Sequence, residues 1–364
     1  MLDRYVNALL AEIQMASSRL DDTKKSIETI YFGGGTPSLM SPSQIEAVLK
    51  HVQQHFVIGR ETEISLEANP GTTDFQKLAG YRQAGVNRLS FGVQSFIDSE
   101  LSSLGRIHSS KEALEEINMA KQTGFQNISL DLIYGLPGQD MTAWLRNIET
   151  ALSLGIQHLS LYGLILEEET PLYLAVHKGK VNLPDDDLVA DMFDTARLRL
   201  EEAGWQHYEI SNWAKATQYE SAHNKSYWEN GQWLGLGVAA HSHIGNLRFS
   251  NTGSIENYIQ CLEDMTIASF AGVVSPAQNW MTENDATTEM RETLMLGFRL
   301  LQDGVDLKAF TNRFGTNAEV FFSKEIAYLT KRGLIEKISD EGNPKLRLSE
   351  AAVGVANQVF REFV

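Results

Sequence analysis

The chain has 364 residues, 43% of them apolar and 21% charged, which is typical of a globular protein. A formal net charge of −16 argues against a nucleic-acid partner, because proteins that bind phosphate backbones usually present a basic face. No run is long and apolar enough to cross a bilayer, and acids interrupt the apolar N-terminal stretch, unlike in a signal peptide. We therefore expect a cytoplasmic protein whose membrane association is at most peripheral.

The first half of the chain alternates helix and strand patterns. Residues 1–17 are a predicted amphipathic helix, with Tyr5, Leu9 and Ile13 at four-residue spacing. The following strand-like runs cover residues 28–32, 61–67, 86–93, 127–133 and 157–164. The long segments between them suit βα units, which predicts an α/β fold with a parallel sheet. A barrel is favoured over an open doubly wound sheet, because polar and glycine residues collect at the C-terminal ends of successive strands.

The helix after the first strand has a clear start signal. Ser41 is a predicted N-cap, Pro42 suits the first turn, and Gln44 completes a Ser-x-x-Gln capping box. The apolar stripe that follows, which needs no functional interpretation, comprises Ile45, Val48, Leu49, Val52 and Phe56.

Several strand ends carry residues suited to binding a ligand. The glycine run from Gly33 to Gly35, followed by Thr36, allows close approach of a ligand to the backbone, although a tight βα turn explains such a run equally well. Glu67 and Gln94 end the next two strands. Because the C-terminal ends of parallel strands meet at one edge of a sheet, this repetition predicts a binding site there.

Two charged residues extend this predicted site. Asp131 lies inside an apolar strand, where a carboxylate is costly unless it has a partner or a ligand. Arg106, beyond the strand that ends at Gln94, is able to pair with a ligand carboxylate, although these residues taken by themselves favour a solvated arginine beside a surface His108.

The regular alternation of helix and strand patterns ends after about residue 165. A helix is predicted over 185–203 and a strand over 207–210. The block His223-Asn-Lys-Ser-Tyr227-Trp228 then combines an imidazole with aromatic rings, which suits a flat aromatic ligand, because an imidazole is able to bind iron while the rings stack. His241 and His243 share one face of a predicted strand. Zinc is an alternative ligand for them, but no other thiol or acid at metal-ligand spacing supports it. Structural packing of these aromatics remains open as an alternative.

The last third of the chain contains a helix, a linker and a small terminal unit. The single cysteine, Cys261, lies in a helical run, and we expect it to be a packing residue, since one thiol makes neither a disulfide nor a cysteine zinc site. Residues 271–288 are a predicted linker. Beyond them, helices and a hairpin around 342–344 predict a winged helical domain over 284–364, with a structural or docking role.

These blocks, taken in order, resemble a known family. The residues at 30–39 (IYFGGGTPSL), 63–70 (EISLEANP), 87–96 (NRLSFGVQSF), 104–108 (LGRIH) and 131–137 (DLIYGLP) resemble the radical S-adenosylmethionine core shared by oxygen-independent coproporphyrinogen dehydrogenases and HemW-type heme chaperones. The resemblance covers essentially the whole chain. Within this family, HNKSYW and the following GLGVAAHS resemble the chaperones.

The resemblance implies a fold and a set of site residues. The fold is a partial (β/α) barrel over 1–165 that lacks its first strand, with an accessory α+β region over 166–270 and a winged helical domain over 284–364. The implied S-adenosylmethionine site comprises Gly34, Gly35, Thr36, Glu67, Gln94, Arg106, Asp131 and Ile165. The implied heme residues are His223, Tyr227, Trp228 and, as a weaker candidate, His241; His223 is the candidate iron ligand.

The chain departs from the family at one motif. The family carries Cys-x-x-x-Cys-x-x-Cys on a first strand and loop, and these thiolates hold a 4Fe–4S cluster that binds S-adenosylmethionine; this sequence begins at the helix that follows that loop. Without the cluster there is no electron to cleave the sulfonium group of S-adenosylmethionine. Three explanations stay open: a start codon placed too late, a truncated gene, or a natural member that keeps only heme binding.

Three functions follow as hypotheses. The first is a heme chaperone that binds heme and passes it to an acceptor protein, with a homodimer as a possible assembly. The second is an oxidoreductase acting on coproporphyrinogen, disfavoured for this chain by the absent cysteines. The third is a binding module for a small carboxylated ligand. The HNKSYW block favours the first.

Overall fold

The computed structural model describes residues 1–168, 170–264, 272–340 and 342–364. Parts of three predicted regions, namely residues 169 and 265–270 of the accessory region, residue 271 of the linker and residue 341 of the C-terminal domain, lie outside the described residues. The domain boundaries therefore stay predictions.

The main sheet has seven strands in the order β1-β2-β3-β4-β5-β7-β6. The first five strands run parallel, and β7 and β6 extend the sheet as an antiparallel pair beside β5. These strands are β1 Ser26–Phe32, β2 Val57–Ala68, β3 Arg88–Gln94, β4 Ile128–Tyr134, β5 His158–Gly163, β6 Gln206–Glu209 and β7 Asn212–Ala214. Because β1 and β6 do not pair with each other, the sheet is an open half-barrel, and each of the predicted strands is confirmed.

Helices alternate with the parallel strands, as βα units require. These helices are α1 Leu2–Arg19, α2 Pro42–His55, α3 Phe75–Ala84, α4 Asp98–Ser103, α5 Ser110–Gln122, α6 Met141–Ser153, α7 Pro171–His177 and α8 Asp186–Glu202. The capping box predicted for α2 is confirmed: the Ser41 side chain accepts from the Gln44 amide, and the Gln44 side chain accepts from the Ser41 amide. The stripe on α2 is buried in the main core, where Ile45 is 0% exposed.

A second sheet follows the short helix α9 Ala222–Trp228. Its antiparallel strands are β8 His241–Ile244, β9 Leu247–Asn251 and β10 Gln278–Glu283, with α10 Ile255–Glu263 between the last two. Part of the predicted linker is thus strand β10. Cys261, on α10, packs beside the apolar cluster that joins α10 to α1, as predicted.

The C-terminal unit has its own apolar core, built around residues such as Leu294 and Phe322. Its helices are α11 Ala286–Gly297, α12 Leu307–Phe314, α13 Ala318–Phe321, α14 Ser323–Lys331 and α15 Asn357–Phe360. Its three-stranded sheet comprises β11 Val305–Asp306, β12 Ile335–Asp340 and β13 Asn343–Leu348, of which the last two form the predicted hairpin. In the described parts of the chain, no helix is both long and apolar enough to span a membrane.

Candidate functional site

The glycine run lies at the mouth of the half-barrel, directly after β1. Gly34 and Gly35 adopt positive φ angles of 74° and 56°, which only glycine reaches without strain. The Gly34 amide donates to Glu67 Oε2 at the end of β2 (3.1 Å). Thr36 Oγ1 accepts from the Asn69 side chain (3.3 Å), so the loop is fastened to the end of the neighbouring strand. The predicted convergence of these residues is thus present.

Glu67 also fixes a partly buried tyrosine. Tyr31 Oη donates to Glu67 Oε1 at 2.6 Å, so the two carboxylate oxygens hold β1 and the glycine loop at once. Burial, together with the Glu67 charge, raises the pKa of Tyr31 far above its ordinary value. Tyr31 therefore stays protonated and acts as a hydrogen-bond donor.

Gln94 occupies a strained position at the end of β3. Its φ of 67° lies in the left-handed region, which is unfavourable for a residue with a side chain by roughly 1–2 kcal/mol. Gln94 is 9% exposed, and its side-chain nitrogen Nε2 lies close to Gly92. A side chain at Gly92 has no room, because its Cβ would clash with Asn69. Strain of this kind is typical of ligand-binding positions.

Asp131 and Arg106 form the charged part of the mouth. Ser90 Oγ donates to Asp131 Oδ1 (3.2 Å), and burial raises the pKa of Asp131 to about 6. The Arg106 guanidinium is half-buried and makes no hydrogen bond or ion pair with any described residue. Burial lowers the pKa of Arg106, and the nearby Asp131 charge partly offsets this lowering.

Two other predicted residues lie near the mouth. His108 is buried rather than at the surface, with Nε2 beside the Val93 carbonyl oxygen (3.2 Å). Ile165, beyond the end of β5, is 77% exposed.

His223 lies on the first turn of α9 and contacts β1. Its Nδ1 is 2.9 Å from Thr29 Oγ1, and its Nε2 is 3.0 Å from Tyr227 Oη. The imidazole stacks in parallel on the Tyr31 ring, with centroids 4.6 Å apart and an interplanar angle of 5°. Burial, assisted by the Arg88 charge, lowers the pKa of His223 to about 4. The imidazole is therefore neutral at physiological pH, which is the form that binds metal.

A second carboxylate on β2 holds the backbone of α9. Glu63 Oε2 accepts from the Ala222 amide (3.1 Å), and Glu63 Oε1 accepts from the His223 amide (3.2 Å). The Arg88 guanidinium, only 3% exposed, lies 4.0 Å from Glu63 Oε2. An anion at a helix N-terminus meets both free amides and the positive end of the helix dipole, which stabilises the start of α9.

The two candidate sites are thus in direct contact. The Tyr31 hydroxyl donates a hydrogen bond to Glu67 at the mouth, and the Tyr31 ring stacks on the His223 imidazole. Glu63 and Glu67 lie four residues apart on one strand, so both project from the same face of β2.

Trp228 faces the C-terminal unit. The Arg299 guanidinium carbon lies 4.1 Å from the centroid of the Trp228 ring, and Arg299 Nη2 is 3.8 Å from Glu209 Oε2. Trp228 also lines a cavity of about 420 Å³ with residues of that unit, including Leu300 and Phe310. Although predicted together with His223, Trp228 takes no part in the hydrogen bonds around the imidazole.

His241 and His243 occupy alternate positions of β8, but their environments differ. His243 is 0% exposed and contacts the Gly231 carbonyl oxygen (2.9 Å) and Glu289 Oε1 (3.2 Å), so it is a structural residue. His241 is exposed and takes no part in the contacts that join His223, Tyr227 and Tyr31. The spacing predicted one shared face, but the packing of α11 buries just one of the two rings.

The residues present do not fit an iron–sulfur cluster. The chain has one cysteine, which packs beside α1, and the described residues contain no group of three or more His, Cys, Asp or Glu side chains placed to hold a metal. No chemical step is therefore assigned to such a cluster.

Comparison with protein-family models gives two matches. Residues 3–151 match the radical SAM superfamily, and residues 284–350 match the HemN C-terminal domain.

Curated relatives and a solved structure agree with these matches. The chain is 34% identical over its whole length to "Heme chaperone HemW" of Bacillus subtilis, covering 92% of that protein, and 30% identical to the protein of the same name in Lactococcus lactis, covering 90% of it. The structure of coproporphyrinogen III oxidase (HemN) from Escherichia coli, described as a radical SAM enzyme, superposes with a TM-score of 0.79 over 99% of this chain and 82% of that one. At 20% identity this match establishes the fold alone.

Several site residues were missed by sequence reasoning. Thr29, Tyr31, Glu63 and Arg88 all project into the half-barrel and surround His223. The available signal was the occurrence of polar side chains at alternate positions of β1 and β2, on the face that the pleat turns towards the barrel interior.

Proposed function

The chain belongs to the HemW heme-chaperone family of the radical SAM superfamily, and from this premise we propose that it binds heme through His223 and passes it to an acceptor protein. The observation that carries the proposal is the environment of His223, a neutral imidazole held against β1 beside a binding mouth. Imidazole is a common axial ligand of heme iron, and the absence of a proton on one ring nitrogen is a requirement for ligation.

The mouth is proposed to hold S-adenosylmethionine. The half-buried Arg106, which pairs with no described residue, suits the ligand carboxylate, and the strained Gln94 and partly buried Asp131 suit its polar groups. Gly34, Gly35, Thr36 and Ile165 would line the same ligand. When bound, S-adenosylmethionine supplies a sulfonium group; the residues present bind and orient the ligand.

The alternative function, an oxidase of porphyrin biosynthesis, has weaker support. Two relatives that match this chain over its whole length, at 34% and 30% identity, are named heme chaperones, whereas the oxidase shares its fold at 20% identity. The acceptor protein, a homodimeric assembly and a cytoplasmic location with at most peripheral membrane association all stay proposals.

A hemin titration tests the heme-binding proposal. We expect saturable one-to-one binding with a ligated-iron absorbance band that is lost in His223→Ala. His177→Ala, which removes an exposed imidazole, serves as the matched control and should bind as the native protein does. Binding that survives in His223→Ala would refute the assignment of the ligand. Hemin transfer from the loaded protein to an apo heme protein then tests the chaperone step.

A further inference from the structure

We propose that His223 coordinates heme iron through Nε2, that Thr29 positions the imidazole by accepting the Nδ1 proton, and that the Tyr227 hydroxyl occupies Nε2 until the ligand arrives. This inference rests on the proposed heme function. It goes beyond that function because it assigns a role to each ring nitrogen and predicts effects of opposite sign for two neighbours.

The Nδ1 side is the fixed side of the ring. Thr29 lies inside β1, which pairs with β2 along most of its length, so its hydroxyl is held by the sheet. The distance of 2.9 Å from Thr29 Oγ1 to His223 Nδ1 is that of a hydrogen bond. Metal-ligating histidines almost always donate their second ring N–H to such a group, which fixes the tautomer and the ring orientation. Thr29 therefore leaves the Nε2 lone pair available.

The Nε2 side is the exchangeable side. Tyr227 lies four residues along the same short helix, and its hydroxyl is 3.0 Å from Nε2. With the proton on Nδ1, Nε2 is an acceptor, so Tyr227 donates. Among the described residues the Tyr227 hydroxyl has no other hydrogen bond, and its ring meets Trp233 edge-on with centroids 4.7 Å apart. A ligand that takes Nε2 must displace this hydroxyl.

The ring plane is fixed independently of both nitrogens. Tyr31 stacks in parallel on the imidazole and is itself tied to Glu67, while Glu63 holds the His223 backbone amide. The orientation of the imidazole is thus set by β1 and β2 rather than by α9 alone. Removal of the Tyr227 hydroxyl should therefore leave the ring in place.

The two substitutions have opposite expected effects on hemin affinity. Thr29→Val keeps the shape but removes the acceptor, and we expect hemin to bind at least about tenfold more weakly, as is usual for loss of such a partner. Thr29→Ser keeps the hydroxyl and should restore most of the affinity. Tyr227→Phe removes a hydrogen bond that binding must break, and we expect hemin to bind about two- to tenfold more tightly. A purely structural role predicts weakening in both cases.

The tautomer of the ligand-free protein is a second readout that needs no heme. Long-range proton–nitrogen NMR of the nine histidines, with His223 assigned from His223→Ala, should show the proton on Nδ1. A proton on Nε2 would overturn the inference, and this measurement stands even if Thr29→Val fails to fold.

The outcomes separate this inference from the proposed function. If hemin binds His223→Ala as it binds the native protein, the proposed function fails. If His223 is required but Thr29→Val has no effect, or Tyr227→Phe weakens binding, the function stands and the roles given to the two nitrogens are wrong. Loss of the ligated-iron band in Tyr227→Phe would make Tyr227 a ligand and would equally overturn the inference.

Discussion

At the scale of single residues, burial decides which groups are charged. The interior of the half-barrel contains Arg88 and several ionisable neighbours from different strands, and their charges act on one another through a medium of low polarity. Burial keeps His223 and His158 neutral and raises the pKa of Asp131 to about 6. Two predictions follow from individual groups.

The first concerns the pH dependence of heme binding. Because the pKa of His223 is lowered to about 4, its imidazole stays unprotonated from pH 8 to pH 5.5. Hemin affinity should therefore change less than about twofold over this range, whereas a histidine with an ordinary pKa of about 6.5 would lose roughly tenfold. Hemin titrations at several pH values check this, with His223→Ala as the control. A tenfold loss centred near pH 6.5 would contradict the burial argument.

The second concerns Glu209, which is 0% exposed beside Arg299. Burial raises its pKa from 4.5 to about 7, so the folded state holds the proton more tightly than the unfolded state does. The stability that this adds is present below about pH 4.5 and is lost as pH rises through about 7. Glu209→Gln removes the titration, so the free energy of unfolding of the variant minus that of the native protein should be larger at pH 8 than at pH 5, which means that the variant gains relative stability as pH rises.

Denaturant unfolding of both proteins at pH 5 and pH 8 measures this difference. An equal difference in the free energy of unfolding at the two pH values would show that Glu209 titrates normally. Glu201→Gln, on the exposed part of α8, is the matched control and should show no pH-dependent difference.

At the scale of elements, the placement of α9 depends on a side chain from another element. Glu63 accepts from two amides of the first turn of α9, and its side chain is 11% exposed. Glu63→Gln removes the charge and one of the two acceptors, so we expect the free energy of unfolding to fall by about 1–3 kcal/mol. Glu46→Gln, which removes an exposed pairing with Lys50, should cost at most about 0.5 kcal/mol.

Equilibrium unfolding by circular dichroism measures both variants. A Glu63→Gln protein as stable as Glu46→Gln would mean that the contact with α9 contributes nothing. If Glu63→Gln instead weakens hemin binding without loss of stability, Glu63 contributes to the position of His223 and not to the stability of the fold.

Elements were the features that the sequence predicted best. The strand runs, the start of α2 and the C-terminal hairpin follow from local patterns, because periodicity and capping are decided by neighbours in the chain. The contacts of His223 with Thr29 and Tyr31 span almost two hundred residues and depend on how α9 meets β1. No local pattern specifies such a meeting. Likewise, the spacing of His241 and His243 predicted a shared face but not the burial of one ring by α11.

At the scale of the whole molecule, one buried network joins the accessory region to the C-terminal unit. Glu289 on α11 accepts from Arg313 of α12 (2.9 Å) and contacts the buried His243 of β8 (3.2 Å). The Asn284 side chain also donates to Glu289 (2.9 Å). Removal of one partner from such a network leaves the other polar groups buried without compensation.

The corresponding prediction is a loss of stability. Glu289→Ala should lower the free energy of unfolding by about 1–3 kcal/mol, because it leaves the buried His243 and Asn284 side chains without their acceptor, whereas the Arg313 guanidinium is 35% exposed and stays partly solvated. Glu201→Ala, on an exposed face, should change it by less than about 0.5 kcal/mol. Thermal and denaturant unfolding measure both. A Glu289→Ala protein as stable as Glu201→Ala would mean that this network does not hold the two regions together.

The central claim is that the His223 imidazole is the iron ligand in a heme-binding protein. The most direct measurement is electron–nuclear double resonance of the hemin complex, prepared with histidine labelled with nitrogen-15. We predict one strongly coupled histidine nitrogen at the iron in the native protein and its absence in His223→Ala. A native complex with no histidine nitrogen at the iron, or a coupling that persists in the variant, would contradict the claim.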